Sequence, residues 1–363
     1  MALLVRPAPV GETGACWCVL VRVMFSDTLP VLMAHVSSAA RPRFALAPMA
    51  TLSHEALRLL IHEFGDPDEY FSEMIHAPSF VHGGRFESWY VRTSPCPERM
   101  VWQLTGGSEG PMVKAASMLR AYGGIGLDIN MGCSAPDIAK TGAGIAWMGK
   151  PLAEVASLVR SVRAEFPARL SVKCRLGEDE NYTRLLEFCR MLIDEGAELI
   201  TLHPRLRRQG YARPAMRDYV GRLASDLPVP VYGNGDVSSA EDARSFLEKS
   251  HCAGLMIGRA AVQKPWIFST ISGPPPAASL TAPDGRVDHR AVSDFFLSRL
   301  RECQPEEFHI SRAHRFFFYY CDNFSFAHHI KMRIQKTKTP DEIGGLLDDY
   351  FVQVEADRFS PVC

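Results

Sequence analysis

Seven short clusters interrupt an otherwise apolar series of segments between residues 43 and 260. They are Ala47-Pro48-Met49, Gln103, Asn130-Met131-Gly132-Cys133, Lys173 with Arg175, His203-Pro204-Arg205, Asn234-Gly235-Asp236 and Gly258-Arg259-Ala260. The last two suit an anion. Gly235 and Gly258 leave room for close approach, backbone N–H groups ahead of a helix attract phosphate, and Arg259 adds a charge-assisted contact. Lys173 and Gln103 then face the ring of the same ligand, and a cation beside N1 and O2 of a flavin stabilises its reduced anion. Singly, each cluster is ordinary: Asn-Gly-Asp is most often a turn, and a lone lysine after a strand is usually solvated. Their common placement gives them weight.

One motif is a decoy. Gly144-Ile-Ala-Trp-Met-Gly149-Lys150 has the spacing of a phosphate-binding P-loop, but Pro151 stands where a Ser or Thr must bind Mg²⁺. Gly142 and Gly144 mark a flexible substrate loop instead.

The clusters need elements to hold them. Apolar runs predict strands at 44–49, 70–75, 101–104, 126–130, 170–174, 199–203, 229–233 and 254–257, with amphipathic helices between them, the first N-capped by Ser53. The strands are apolar on both faces, as parallel strands covered by helices must be. Eight such units in series predict an α/β fold, a (β/α)₈ TIM barrel, and every cluster above falls at a strand's C-terminal end, where barrels place their chemistry.

The 363 residues carry 40 Lys+Arg against 41 Asp+Glu, a formal charge of -1, with 47% hydrophobic residues. This excludes disorder, collagen and coiled coil for the bulk and a protein basic throughout, but leaves room for a local basic face. The ten cysteines are scattered, with no C-x-x-C pair and no zinc spacing, so they read as reduced thiols in a cytoplasmic protein that holds no metal. No run of 18 apolar residues predicts a membrane span. Residues 1–42, with Cys16, Cys18 and alternative starts at Met24 and Met33, are read as a disordered extension or a gene-model artefact. A secretory leader is the weaker reading.

In order along the chain, Ala47-Pro48-Met49, Gln103-Leu104, Asp128-Ile-Asn130-Met-Gly132-Cys133, Lys140-x-Gly142-x-Gly144, Val172-Lys173-Cys-Arg175, His203-x-Arg205, Asn234-Gly235-Asp236, Gly258-Arg259-Ala260 and Lys264-Pro265-Trp266 resemble the tRNA-dihydrouridine synthases over residues 43–350. The departures are Ser134 after Cys133 where Pro is usual, Pro204 between His203 and Arg205, Ala50-Thr51-Leu52 in place of a glycine-rich turn, and Gln263-Lys264 in place of Gly-Asn. The resemblance implies an FMN-containing barrel, a small helical domain and NADPH-dependent reduction of the uracil C5=C6 bond in tRNA. It implies Cys133 as proton donor, and Ala47, Pro48, Met49, Gln103, Lys173, His203, Asn234, Gly235, Asp236, Gly258 and Arg259 as residues that hold FMN. Asn130, Lys140, Arg205 and Arg207 would meet the substrate.

Domain organisation follows: residues 43–272 form the barrel, the Pro-rich 273–289 is a linker, and 290–357 is an all-α bundle that binds tRNA, in a monomer. Between 290 and 338, nine Lys and Arg stand against five Asp and Glu, interleaved with Phe316, Phe317, Phe318, Tyr319, Tyr320, Phe324 and Phe326. That composition suits RNA, although aromatics at helical spacing more often form core. A second basic stretch, Arg205, Arg207, Arg208, Arg213 and Arg217, follows the sixth strand. Two other readings stay open: an FMN oxidoreductase of a free pyrimidine, like the dihydroorotate dehydrogenases, and a tRNA-binding protein without redox chemistry.

Overall fold

The computed structural model describes residues 41–273 and 278–362, so the expectation for residues 1–40 lies outside the described residues. Eight parallel strands close into a barrel: β1 (Arg43–Leu46), β2 (Glu69–His76), β3 (Met100–Thr105), β4 (Gly126–Met131), β5 (Arg169–Cys174), β6 (Leu199–Leu202), β7 (Val231–Asn234) and β8 (Gly254–Ile257). Closure is made by β1 on β8, with Arg43 opposite Gly254 and Leu46 opposite Ile257.

Helices follow the strands as α1 (Glu55–Phe64), α2 (Ala77–His82), α3 (Glu109–Leu119), α4 (Leu152–Glu165), α5 (Tyr182–Asp194), α6 (Asp218–Asp226), α7 (Ala240–Ser250), α8 (Arg259–Gln263) and α9 (Ile267–Ser272). Inward side chains (Ala45, Phe71, Val101, Leu199, Tyr232 and Met256) fill the barrel, while the outer strand faces and the helices share a second, larger core. All six residues of β3 and all six of β4 are buried, as strands covered on both faces must be. At the strands' N-terminal pole, Glu69 takes a bidentate pair from Arg169 (2.7 and 2.7 Å) and a hydrogen bond from the Tyr232 hydroxyl (3.0 Å).

Three local expectations change. Ser53 does not cap α1; its hydroxyl accepts from the Met49 amide at 2.8 Å, and His54 is the cap residue. Residues 144–149, expected as a flexible loop, form a packed 3₁₀ turn with Ile145 and Trp147 buried and the indole donating to Gly106 O at 2.7 Å. Within the stretch 273–289, Val287–Asp288 (β9) pairs with Phe359–Ser360 (β10) in a small antiparallel sheet.

Beyond it lie α10 (His289–Cys303), α11 (Glu306–Tyr320), α12 (Ala327–Ile334) and α13 (Pro340–Gln353), the last capped by Thr339 as its sequence predicts. The aromatic run splits by face. Phe316, Phe317, Tyr320 and Phe324 are buried, whereas Phe318 and Phe326 are exposed. Phe296 of α10 stacks on Phe316 of α11 at 3.7 Å between centroids. Removing that ring leaves a cavity between two helices. Phe316→Ala is expected to lower unfolding free energy by about 3–5 kcal/mol, read by chemical denaturation of the full chain.

Candidate active site

The C-terminal ends of the strands open into one cleft with two lobes. A lobe of about 600 Å³ runs from Ala47 past Lys173 and Asn234 to Gly235, Gly258 and Arg259. A second, of about 500 Å³, contains Asn130, Cys133, Arg175 and Arg207. Pro48, Met49, Lys173, His203, Tyr211 and Arg259 line both. The space is of the size that small-ligand sites occupy.

Cys133 is half-buried on the turn after β4. The Asn130 side-chain oxygen accepts the amides of Gly132 (3.2 Å) and Cys133 (2.9 Å). Behind it, the Asn130 amide group donates to Gln103 Oε1 at 2.8 Å, Gln103 Nε2 donates to Asp128 at 2.6 Å, and Ser171 Oγ donates to the same carboxylate at 2.6 Å. On the far side the Ile145 amide donates to Cys133 O at 2.9 Å. Gly144 sits there with φ +59°, and a Cβ would come within 2.5 Å of that oxygen, so only glycine lets the 3₁₀ turn close against the cysteine.

At the other end, Arg205 Nη2 donates to both oxygens of Asp236 (2.7 and 2.6 Å), Arg259 Nη2 donates to one (2.9 Å), and the Ala215 amide adds 2.8 Å. Burial raises the Asp236 pKa, but these donors outweigh it and hold the carboxyl below its ordinary range. Arg205 Nη1 lies 2.8 Å from His203 Nε2, and since guanidinium only donates, that nitrogen is the acceptor. Burial first, then Lys173, Arg175 and Arg205, push His203 down to about 2, so it is neutral. Lys173 Nζ donates to Asn234 Oδ1 at 2.9 Å; burial and then Arg175 lower it to about 8.

Of the expected residues, Ala47, Pro48, Met49, Lys173, His203, Asn234, Gly235, Gly258 and Arg259 come together around the first lobe. Four sit differently. Gln103 is fully buried below the cleft, with its amide spent on Asp128 and Asn130, so it supports the wall instead of lining it. Asp236 borders the first lobe, but its carboxylate is taken up by two arginines and would repel a phosphate. Arg205 borders the first lobe but is fully buried, and its donors go to Asp236, His203, Tyr211 O and Arg213 O, so it builds the wall there. Lys140 is exposed, paired with Asp137 at 2.5 Å and outside both lobes.

Arg207 lines the second lobe and pairs with Glu178 at 2.7 Å. Sequence reading misses Tyr211, whose ring lies 16° from parallel to His203 and 4.5 Å from Arg259, and it places Arg315, Tyr319 and Lys331 in the basic, aromatic stretch without placing them at the cleft. The i, i+4 spacing of 315 and 319, at the edge of the buried arc of 312, 313, 316, 317 and 320, is the available signal.

The dihydrouridine synthase family profile matches residues 45–354. Mouse tRNA-dihydrouridine(47) synthase [NAD(P)(+)]-like is 33% identical over 228 residues, which cover 62% of this chain and 35% of the mouse protein. Probable tRNA-dihydrouridine synthase 1 of Synechocystis is 30% identical over 229 residues, 63% of this chain and 64% of that protein. The tRNA-dihydrouridine(16) synthase of Neisseria meningitidis is 26% identical over 322 residues, 85% of this chain and 95% of its own length. The chain thus spans about a third of the mouse relative and just under two thirds of the cyanobacterial one.

Lys173 carries a pH signature. Its pKa of about 8 lies below the unfolded value of 10.5, so between these limits the unfolded chain binds the extra proton and stability rises with pH. The difference in unfolding free energy between wild type and Lys173→Met is expected to change across pH 8–10.5 and to be flat below pH 8, read by denaturation at stepped pH.

Proposed function

Because the chain belongs to the dihydrouridine synthase family, we propose that it is an FMN-dependent oxidoreductase that reduces the C5=C6 bond of uridines in tRNA, with NADPH as reductant. The observation that carries this is Cys133 fixed on its turn over a cleft whose opposite end gathers glycines and a cation.

The residues present fit FMN. Gly235 and Gly258 open the end of the first lobe to a phosphate, and Arg259 stands beside them. Met49 and Met256 give apolar wall for a ring. Lys173, whose one hydrogen bond among the described residues goes to Asn234, keeps further protons for a ring oxygen or nitrogen. The chemistry that FMN supplies when bound is hydride transfer to C6 of the uracil.

C5 then requires a proton, and the Cys133 thiol gives it as general acid. Asn130 keeps its second Nδ2 hydrogen for the pyrimidine while its oxygen holds the cysteine turn. The uracil has to leave its stack to reach the thiol. RNA phosphates are met by Arg207 and Arg208 on the β6–α6 loop and by Arg315 on α11, which line the second lobe. The seven described cysteines are all unpaired, which supports a reducing compartment, the cytoplasm. No helix among the described residues is long and apolar enough to cross a membrane.

Cys133→Ala should retain FMN and NADPH oxidation while dihydrouridine formation falls about 10²–10⁴-fold, measured by nucleoside analysis of tRNA; undiminished product would overturn the assignment. Reversing charge at Arg207 and Arg208 together should weaken tRNA binding at low salt and flatten log K against log [salt] by about one unit per lost phosphate contact.

A further inference from the structure

Thr51, on the loop between β1 and α1, has φ +65°. A β-branched residue in the left-handed region is an outlier, and such a backbone persists only where its surroundings over-determine it. The determinant here is a buried relay. The Thr51 amide donates to Glu73 Oε1 at 2.6 Å, and the other carboxylate oxygen of Glu73 accepts from Arg312 Nη1 at 2.7 Å. Glu73 lies on β2, at the irregularity between Phe71 and Met74, and Arg312 lies on α11, 239 residues further along the chain. Both side chains are nearly sealed, at 4% and 3% exposure. The guanidinium also sits 5.0 Å from the ring of Phe308.

A carboxylate buried at that depth needs its cation. Without Arg312, Glu73 would be left buried without its ion-pair partner and would turn toward water, and the Thr51 amide would lose its acceptor. The loop it anchors supplies Ala47 to one lobe of the cleft, Ala50 and Leu52 to the other, and Pro48 and Met49 to both. Charge counting groups Arg312 with the basic residues of 290–338 that suit RNA, yet its burial keeps it from any nucleic acid.

We propose that Arg312 is a positioning residue of the flavin cleft: through Glu73 it holds Thr51, and so the 47–52 loop, in the shape that retains FMN, and it takes no part in RNA contact. This rests on the reading of the cleft as an FMN site.

The test is a double-mutant cycle on the full chain, read by FMN dissociation (flavin fluorescence) and by tRNA binding on filters. Arg312→Met is expected to weaken FMN retention on the order of tenfold, with tRNA affinity held within about twofold. In a Thr51→Gly chain, where the left-handed backbone needs no support, adding Arg312→Met should change FMN retention by less than about twofold. Where Arg312→Met does not fold, Arg312→Lys takes its place in the same cycle, with a smaller loss expected beside Thr51 and none in the Thr51→Gly chain. Unchanged FMN retention, an equal loss in both backgrounds, or a loss confined to tRNA affinity each overturn the inference. A wild-type chain that takes up no FMN overturns the flavin reading, and this inference with it, whereas normal uptake by wild type and Arg312→Met alike overturns this inference alone.

Discussion

A carboxylate sealed inside a barrel wall imposes order on everything it touches. Asp128 is fully buried, and burial pushes it up to about 6 against the pull of Ser171 and Gln103. Once ionised it can only accept, so the Gln103 amide nitrogen must face it. That choice turns Gln103 Oε1 toward Asn130, which must present its own nitrogen there, and only Asn130 Oδ1 is left for the amides of Gly132 and Cys133. One buried charge thereby fixes two amide orientations and the turn that carries the thiol. Within the wall each of these side chains has its partner, which such a buried network requires.

The opposite end of the cleft is built on the same logic, again around a carboxylate, but one whose donors are charged. Asp236 gathers Arg205 and Arg259, and Arg205 in turn fixes the neutral tautomer of His203. Arg205 is consumed by this duty and is fully buried, while Arg259 stays about two-fifths exposed with donors to spare. The two arginines therefore divide the work: one builds the wall and the other faces the cleft. An acid among cations here serves to space and aim them.

The barrel was legible because its signals are local. Eight apolar runs separated by amphipathic stretches fall within a few residues of the eight strands, and the strand-end rule located the cleft. What escaped was direction. Nothing in the sequence distinguishes an arginine that points into a wall from one that points out of it, so on sequence Arg205 reads as a substrate contact and Gln103 as a cleft residue. The two glycines at 142 and 144 suggested mobility, yet Gly144 is there for the close approach to Cys133 O. Thr51 stood out in sequence only as a missing glycine; the buried pair that compensates joins residues 239 apart and has no local trace.

The helical region shows how far a charge count can mislead. Of its basic residues, Arg290, Arg299, Arg301 and Lys331 are paired with acids on the bundle itself, and Arg312 is turned into the barrel. The positive excess available to a partner is thus carried by fewer residues than the sequence suggests, among them Arg315. That residue lies three positions after Arg312 on α11, outside the buried face that Arg312 shares with Ala313, Phe316, Phe317 and Tyr320. The same helix therefore closes the cleft wall with one side and offers cation and aromatic surface at the cleft mouth with the other. A near-neutral chain can in this way present a local basic face without an overall basic charge, since attraction of a polyanion depends on the few cations at the mouth and not on the sum.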